Sequence, residues 1–158
     1  MTDLPPISPL PQLGAVYDGW FNFPVRVYPH HTDYAGVVWH GSYINWMESA
    51  RVECLRSVGI RFEDLVAAGV NLPVVNLSIR YHLPAKMGDD VIVMTKLQNP
   101  EKLRLNWAYQ IRTEKDLCVT ALVTLVAVDM EKNKILRTLP SSLEGAIARL
   151  VGNDITPT

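Results

Sequence analysis

Only one long segment of this chain repeats its apolar residues at the helical period: Tyr43, Met47, Ala50, Cys54 and Val58 recur at steps of four, three, four and four. Nearly every other regular segment alternates. Phe21, Phe23, Val25 and Val27 alternate with Asn22, Pro24 and Arg26, and Val75, Leu77, Ile79 and Tyr81 with Asn76, Ser78 and Arg80. Leu103, Leu105, Trp107, Tyr109 and Ile111 alternate with Arg104, Asn106, Ala108, Gln110 and Arg112. A single amphipathic helix among half-buried strands must lay its stripe on their sheet, because neither can bury its apolar side alone.

The remaining elements follow from the same signals. Ser42 is the expected N-cap of the long helix and Gly59 its stop, giving about 16 residues and about 24 Å at ~1.5 Å per residue, enough to cross a small sheet. Phe62 to Ala68 predicts a short helix ended by Gly69, and Val91 to Leu97 a strand. Leu117 to Asp129 is nearly all apolar or Thr, as for one central strand covered on both faces, and its length implies a curved sheet. Pro24 marks an edge or a strand start. Ser141 and Glu144 have the spacing of a capping box before a last helix carrying Leu143, Ile147 and Leu150. The expected class is α+β, an antiparallel sheet wrapped around one long central helix. The sheet's unpaired edge would need a second copy to cover it.

Composition bounds the rest. At 158 residues the chain has room for one domain, and 48% hydrophobic against 20% charged residues excludes disorder throughout. Fifteen Lys and Arg balance sixteen Asp and Glu without a basic cluster, so no nucleic-acid partner is expected. Residues 1–16 carry Pro5, Pro6, Pro9 and Pro11 and are expected to form a flexible tail, 17–152 the domain, and 153–158 a C-terminal tail. The start lacks a signal-peptide pattern and no run has the length for membrane insertion, which points to a cytoplasmic protein. Cys54 and Cys118 form no CxxC pair and lie in apolar segments, so both are expected as reduced core residues.

Chemistry concentrates in the loop His30-His31-Thr32-Asp33-Tyr34-Ala35-Gly36-Val37-Val38-Trp39-His40-Gly41, which runs into the long helix. A carboxylate stands next to a helix start, whose free N–H groups and partial positive charge suit a developing oxyanion. Taken alone, Asp33 also reads as a turn-forming aspartate and His40 as a packing residue. A metal site is disfavoured, since the adjacent His30 and His31 point apart in extended chain and no His-x-x-x-His completes a shell. No Gly-x-Ser-x-Gly elbow, Walker loop or Gly-x-Gly-x-x-Gly occurs. Glu48 and Arg51, three apart on the helix, read as a structural ion pair.

The ordered run from Asp33 through Gly36, Val37, Val38, Trp39, His40 and Tyr43 to Trp46, Glu48 and Arg51 resembles hotdog-fold acyl-CoA thioesterases of the 4-hydroxybenzoyl-CoA thioesterase type. It is most similar to the bacterial branch associated with the Tol-Pal system, whose motif resembles Asp-x-x-Gly-Val-Val-Tyr-His-x-x-Tyr. The similarity continues through Ile79, Tyr81, Pro84, Ala85, Asp89, Asp129 and Arg137 to Pro140. The resemblance implies a hotdog fold, a homodimer or homotetramer with sites at the interface, and hydrolysis of an acyl-CoA substrate without metal or cofactor. By position, Asp33 matches the catalytic carboxylate, as nucleophile or as general base for water. His40 matches the histidine at the helix start, and the N–H groups around His40 and Gly41 match the donors to the thioester oxygen. Tyr34 stands where a small residue or proline is common and Trp39 where Tyr or Phe is common, so both, with Tyr43, are expected to shape the acyl pocket. Arg80, Lys86, Lys102 and Arg104 are candidates for the coenzyme phosphates, Arg104 foremost. Two other classes fit less well: a hotdog dehydratase or hydratase with His40 as base, and a noncatalytic dimer that binds acyl-CoA or a protein.

Overall fold

The computed structural model describes Gly14, residues 16–17 and residues 19–152; of the expected tails 1–16 and 153–158, residues 1–13, 15 and 153–158 lie outside the described residues, while Gly14 bonds to Asn22 and Val16 opens a strand. In chain order the elements are β1 (Val16–Tyr17), β2 (Trp20–Arg26), α1 (His40–Ser57), α2 (Phe62–Ala67), β3 (Val70–Asn71) and β4 (Val74–Tyr81). They continue with β5 (Asp90–Leu97), β6 (Leu105–Arg112), β7 (Leu117–Leu125), β8 (Val128–Asp129), β9 (Lys134–Ile135) and α3 (Ser141–Val151). Six strands make one antiparallel sheet in the order β1-β2-β5-β6-β7-β4, and β3-β8-β9 make a small second one. The chain is α+β, as its patterning requires.

Register explains why the alternation works. Val93, Ile111, Val119 and Tyr81 stand side by side across β5, β6, β7 and β4, as do Thr95, Tyr109, Ala121 and Ile79, then Leu97, Trp107, Val123 and Leu77. Period two puts all of these on one face. There α1 contributes Met47, Ala50, Cys54 and Leu55 to a core whose largest fully buried side chains include Trp107 and Tyr109. α1 packs chiefly on β2 and β5. At the far margin β4 is an edge strand, with Val75 and Leu77 exposed. Pro24 costs no ladder bond, because β1 covers only Trp20 and Phe21 and β2 is an edge beyond them.

Three local expectations are corrected. Ser42 is not the N-cap: α1 begins two residues earlier, and the Ser42 hydroxyl donates to the His31 carbonyl at 2.8 Å. The capping box does not form, since α3 starts at Ser141 with Pro140 as its N-cap, one position out of step with the motif. The run Leu117 to Asp129 is not one strand: it breaks after Leu125, and Val128–Asp129 turn away to pair with Val70–Asn71 and Lys134–Ile135. The stop at Gly59 holds as expected. Gly59 has φ of 88°, and the bonds Gly59 N–H to Arg56 O and Ile60 N–H to Leu55 O form a Schellman motif.

Both cysteines are buried and unpaired. Burial pushes the Cys54 thiol up to about 12 and raises that of Cys118. Native Cys54 should therefore react with iodoacetamide at mildly alkaline pH on the order of a thousandfold more slowly than free cysteine, and Cys118 more slowly too. Both thiols should label at the ordinary rate once urea has unfolded the chain. Fast native labelling, read by mass spectrometry, would contradict this packing.

Candidate active site

The segment between β2 and α1 is held by backbone bonds on both sides. Val27 N–H donates to Asp89 O at 2.9 Å and Gly88 N–H returns to Val27 O at 2.9 Å. Val38 N–H donates to Ala85 O and Met87 N–H to Gly36 O, so the connection between β4 and β5 forms a second strand of support. Within the segment a 3₁₀ turn at Pro29–His31 precedes a tight hairpin, in which Thr32 pairs with Val38 and Asp33 N–H donates to Val37 O at 2.8 Å. Gly36, at φ of 78°, supplies the left-handed residue that the hairpin tip needs.

Asp33 folds its carboxylate back onto this hairpin. Oδ1 accepts the N–H groups of Ala35 at 2.8 Å and Val37 at 3.3 Å, while Oδ2 has no partner among the described residues. These are the bonds of a turn-forming aspartate, and they also fix the direction of the free oxygen. Tyr34, beside it at the tip, is fully exposed.

His31 joins this hairpin to the helix. Its carbonyl accepts both the Trp39 N–H at 3.0 Å and the Ser42 hydroxyl, and its Nδ1 accepts the Tyr28 N–H at 3.0 Å. The neutral ring therefore carries its proton on Nε2, and its edge meets the ring of Trp46. Desolvation, and secondarily the neighbouring His30, lower its pKa. His30 stacks on Tyr28. Among the described residues no three His, Cys, Asp or Glu side chains cluster as a metal site would require.

The start of α1 has no side-chain cap, its N-cap being Trp39. Nor do the His40 and Gly41 N–H groups find a carbonyl among the described residues. The Trp39 indole lies against the Gly41 Cα so closely that a Cβ there would overlap the ring. His40 is exposed, its ring tilted on that of Trp39, and its carbonyl accepts the Tyr81 hydroxyl at 3.0 Å. Below lies a cavity of about 190 Å³, lined by Val38, His40, Tyr43, Tyr81, His82 and Pro84. Tyr43 is buried in its wall, accepts the Ala85 N–H at 3.1 Å, and has its pKa raised by desolvation.

The structure thus gathers Asp33, Tyr34, Trp39, His40, Gly41 and Tyr43 around one hairpin and one helix start. Arg104 is not among them. It sits in the turn before β6, at the end of the sheet remote from this loop, about 23 Å along the strands. Arg80 and Lys86 lie at the near end of the sheet, Lys86 bridged to Val37. Glu48 and Arg51 make no ion pair: Arg51 is buried and donates from Nη1 to the Tyr109 hydroxyl at 2.9 Å, while Glu48 faces outward. His31 and Tyr81 were missed as site residues. His31 works through its carbonyl, which side-chain identity does not announce, and Tyr81 entered the sequence reading as a strand position and a point of family resemblance, without a role at the site.

Residues 27–147 match the profile of the thioesterase-like superfamily. The chain belongs to that superfamily, and its antiparallel sheet with a helix on one face is a hotdog-like thioesterase fold. It is 48% identical over 141 residues to a candidate esterase of Synechocystis sp., covering 88% of this chain and 85% of the relative. To the acyl-CoA thioester hydrolase YbgC of Escherichia coli O157:H7 it is 36% identical over 124 residues, 78% of this chain and 92% of that one. The crystal structure of a 1,4-dihydroxy-2-naphthoyl-CoA thioesterase from Synechocystis superposes with a TM-score of 0.76 at 26% identity, over 82% of this chain and 96% of the other.

A lowered histidine pKa has a definite sign. The unfolded chain takes up a proton that folded His31 resists, so the stability this residue contributes is present above its ordinary value of 6.5 and is lost as pH falls through the folded value. The Cε1–H resonance of His31 should titrate below that value. The fall in melting temperature from about pH 8 to about pH 5 should be smaller in His31→Asn than in wild type. An equal pH dependence in the two proteins would mean that folded His31 takes up its proton as readily as the unfolded chain does.

Proposed function

We propose that this protein is an acyl-CoA thioesterase of the Tol-Pal-associated branch, of the 4-hydroxybenzoyl-CoA thioesterase type, acting in the cytoplasm. The observation that carries the reading is the uncapped start of α1 held against the Asp33 hairpin by the His31 carbonyl. Relatives named as acyl-CoA thioesterases support the substrate class. The thioester carbonyl oxygen takes the N–H groups of His40 and Gly41, and the free oxygen of Asp33 acts on the carbonyl carbon as nucleophile or through water. The C–S bond breaks, the thiol leaves as CoA, and water supplies the hydroxyl of the acid and the proton of the thiol. Two such donors contribute about 3 to 4 kcal/mol, roughly two to three powers of ten in rate. Tyr34, Trp39 and Tyr43 shape the acyl side. Arg104 reaches coenzyme phosphates only across a subunit boundary, because its own protomer holds it at the far end. The chemistry calls for no metal or cofactor.

The open edge of β4 supplies that boundary. Pairing β4 with a second copy covers its exposed Val75 and Leu77 and extends the sheet, so that each α1 becomes the central helix of its half of a homodimer, or of a homotetramer made of two.

Two measurements test this reading. Asp33→Asn keeps the size and removes the charge; thiol release from a panel of short aliphatic, benzoyl and naphthoyl CoA thioesters should fall at least about a hundredfold with the fold intact. Turnover within threefold of wild type would take Asp33 out of the chemistry. Light scattering of dilute protein should give a dimer or tetramer, and Val75→Lys, which places a charge on the edge strand, should shift it toward monomer. A fully active wild-type monomer would overturn the pairing.

A further inference from the structure

A seam runs along the first two-thirds of α1, beside the edge strand β4. On the helix, Tyr43, Ile44, Met47 and Arg51 follow one another at steps of one, three and four, and on the strand Tyr81, Ile79 and Leu77 share the facing side. The cavity beneath the helix start opens at one end of this seam. A second, of about 60 Å³, lies further along it, between Ile44, Met47 and Arg51 on the helix and Val74 and Leu77 on the strand. Beyond the first cavity, where His40, His82, Tyr43 and Tyr81 are polar, the seam residues Ile44, Met47, Leu77 and Val74 are apolar up to Arg51, with Glu48 beside them.

Arg51 is the anomaly of the interior. It is 6% exposed, and the Tyr109 hydroxyl is its one hydrogen-bond partner among the described residues. Its Nε is buried with no partner, and none of the ion pairs among the described residues includes it. An arginine this deeply buried without a counter-group is disfavoured, and Arg51, with donors beyond the one bonded to Tyr109, lines the second cavity.

We propose that this seam receives the acyl group of the CoA thioester and that Arg51 is a specificity-determining residue at its far end, binding a hydroxyl or carboxylate oxygen carried by the acyl chain. The inference rests on the thioesterase reading for where the thioester sits. From Gly41 to Arg51 the helix rises about 15 Å, and the arginine side chain leans back toward the helix start, so the selected oxygen stands on the order of 10 Å from the thioester carbon. An acyl chain of about eight carbons with a terminal oxygen has that reach. Tyr109 holds one side of the guanidinium, keeping the remaining donors directed at the cavity.

The test compares octanoyl-CoA with 8-hydroxyoctanoyl-CoA and the mono-CoA ester of octanedioic acid. Wild type should favour at least one oxygenated chain by about tenfold or more in kcat/KM. Arg51→Met should bring that ratio to within about twofold while octanoyl-CoA is still hydrolysed, and Arg51→Lys should restore part of it. Binding of the corresponding thioether analogues, in which no bond can be cleaved, should show the same preference in Kd. That second readout stands even if the chain releases no thiol, an outcome that would sink the thioesterase reading alone. Equal treatment of plain and oxygenated chains by wild type overturns the proposal whether or not Arg51→Met folds. So does a variant that keeps the preference, or one whose only defect is loss of the dimer, which would assign Arg51 to a contact with a second copy.

Discussion

Everything in this molecule depends on the packing of α1 against one face of the six-stranded sheet. The helix brings one broad stripe, and the sheet answers with Val93, Ile111, Trp107 and Tyr109, all buried. Fully burying each such side chain contributes about 1.5 to 3 kcal/mol, so this contact outweighs any single polar interaction in the chain. Its geometry is lopsided. Because α1 leans on β2 and β5, the side of the helix facing β4 is only half covered. The same contact that stabilises the protomer therefore creates the seam, exposes the edge strand and presents the helix start beside a cavity.

The parts of this architecture that follow core periodicity were legible in the sequence. Trp107, Tyr109 and Ile111 announced β6 because a side chain every second residue must face the helix, and Met47, Ala50 and Cys54 announced α1 for the corresponding reason. Boundaries were less legible. Ser42 has the chemistry of an N-cap, yet the Trp39 N–H is already drawn to His31 O, which winds the helix from His40 and leaves Ser42 inside it. Ser141 and Glu144 have the right spacing for a box, but Pro140 at the N-cap shifts the register by one. Local motifs of this kind yield when tertiary bonds choose the first residue of the helix.

For the candidate site, the Asp33 to Tyr43 run drew attention to one loop, and the structure folds that loop into a single hairpin leading into α1. Relations that pass through space were hidden. Nothing in the identities of Glu48 and Arg51 reveals that one lies on the outside and the other beneath the sheet edge, since a spacing of three allows both arrangements. Arg104 looked available because it is cationic, and only the strand register shows that β5 and β6 carry it away from the loop. His31 matters through a carbonyl that every residue possesses.

The helix start itself breaks a local rule in a way that joins two residues. A helix of 18 residues would gain about 1 kcal/mol from Ser, Thr, Asp or Asn at its N-cap, and here Trp39 stands in that place with no capping bond. The indole occupies the space where residue 41 would otherwise carry a Cβ, so the large aromatic at position 39 and the glycine at 41 must change together. Glycine in the first turn costs helix stability as well, roughly 0.5 to 1 kcal/mol relative to alanine further inside a helix. Both choices leave backbone N–H groups bare, where ordinary selection for stability would cover them. A fold that forgoes stability twice within three residues, at the start of its principal helix and next to a fixed carboxylate, leaves those N–H groups open to an oxyanion, which is the arrangement the proposed chemistry needs.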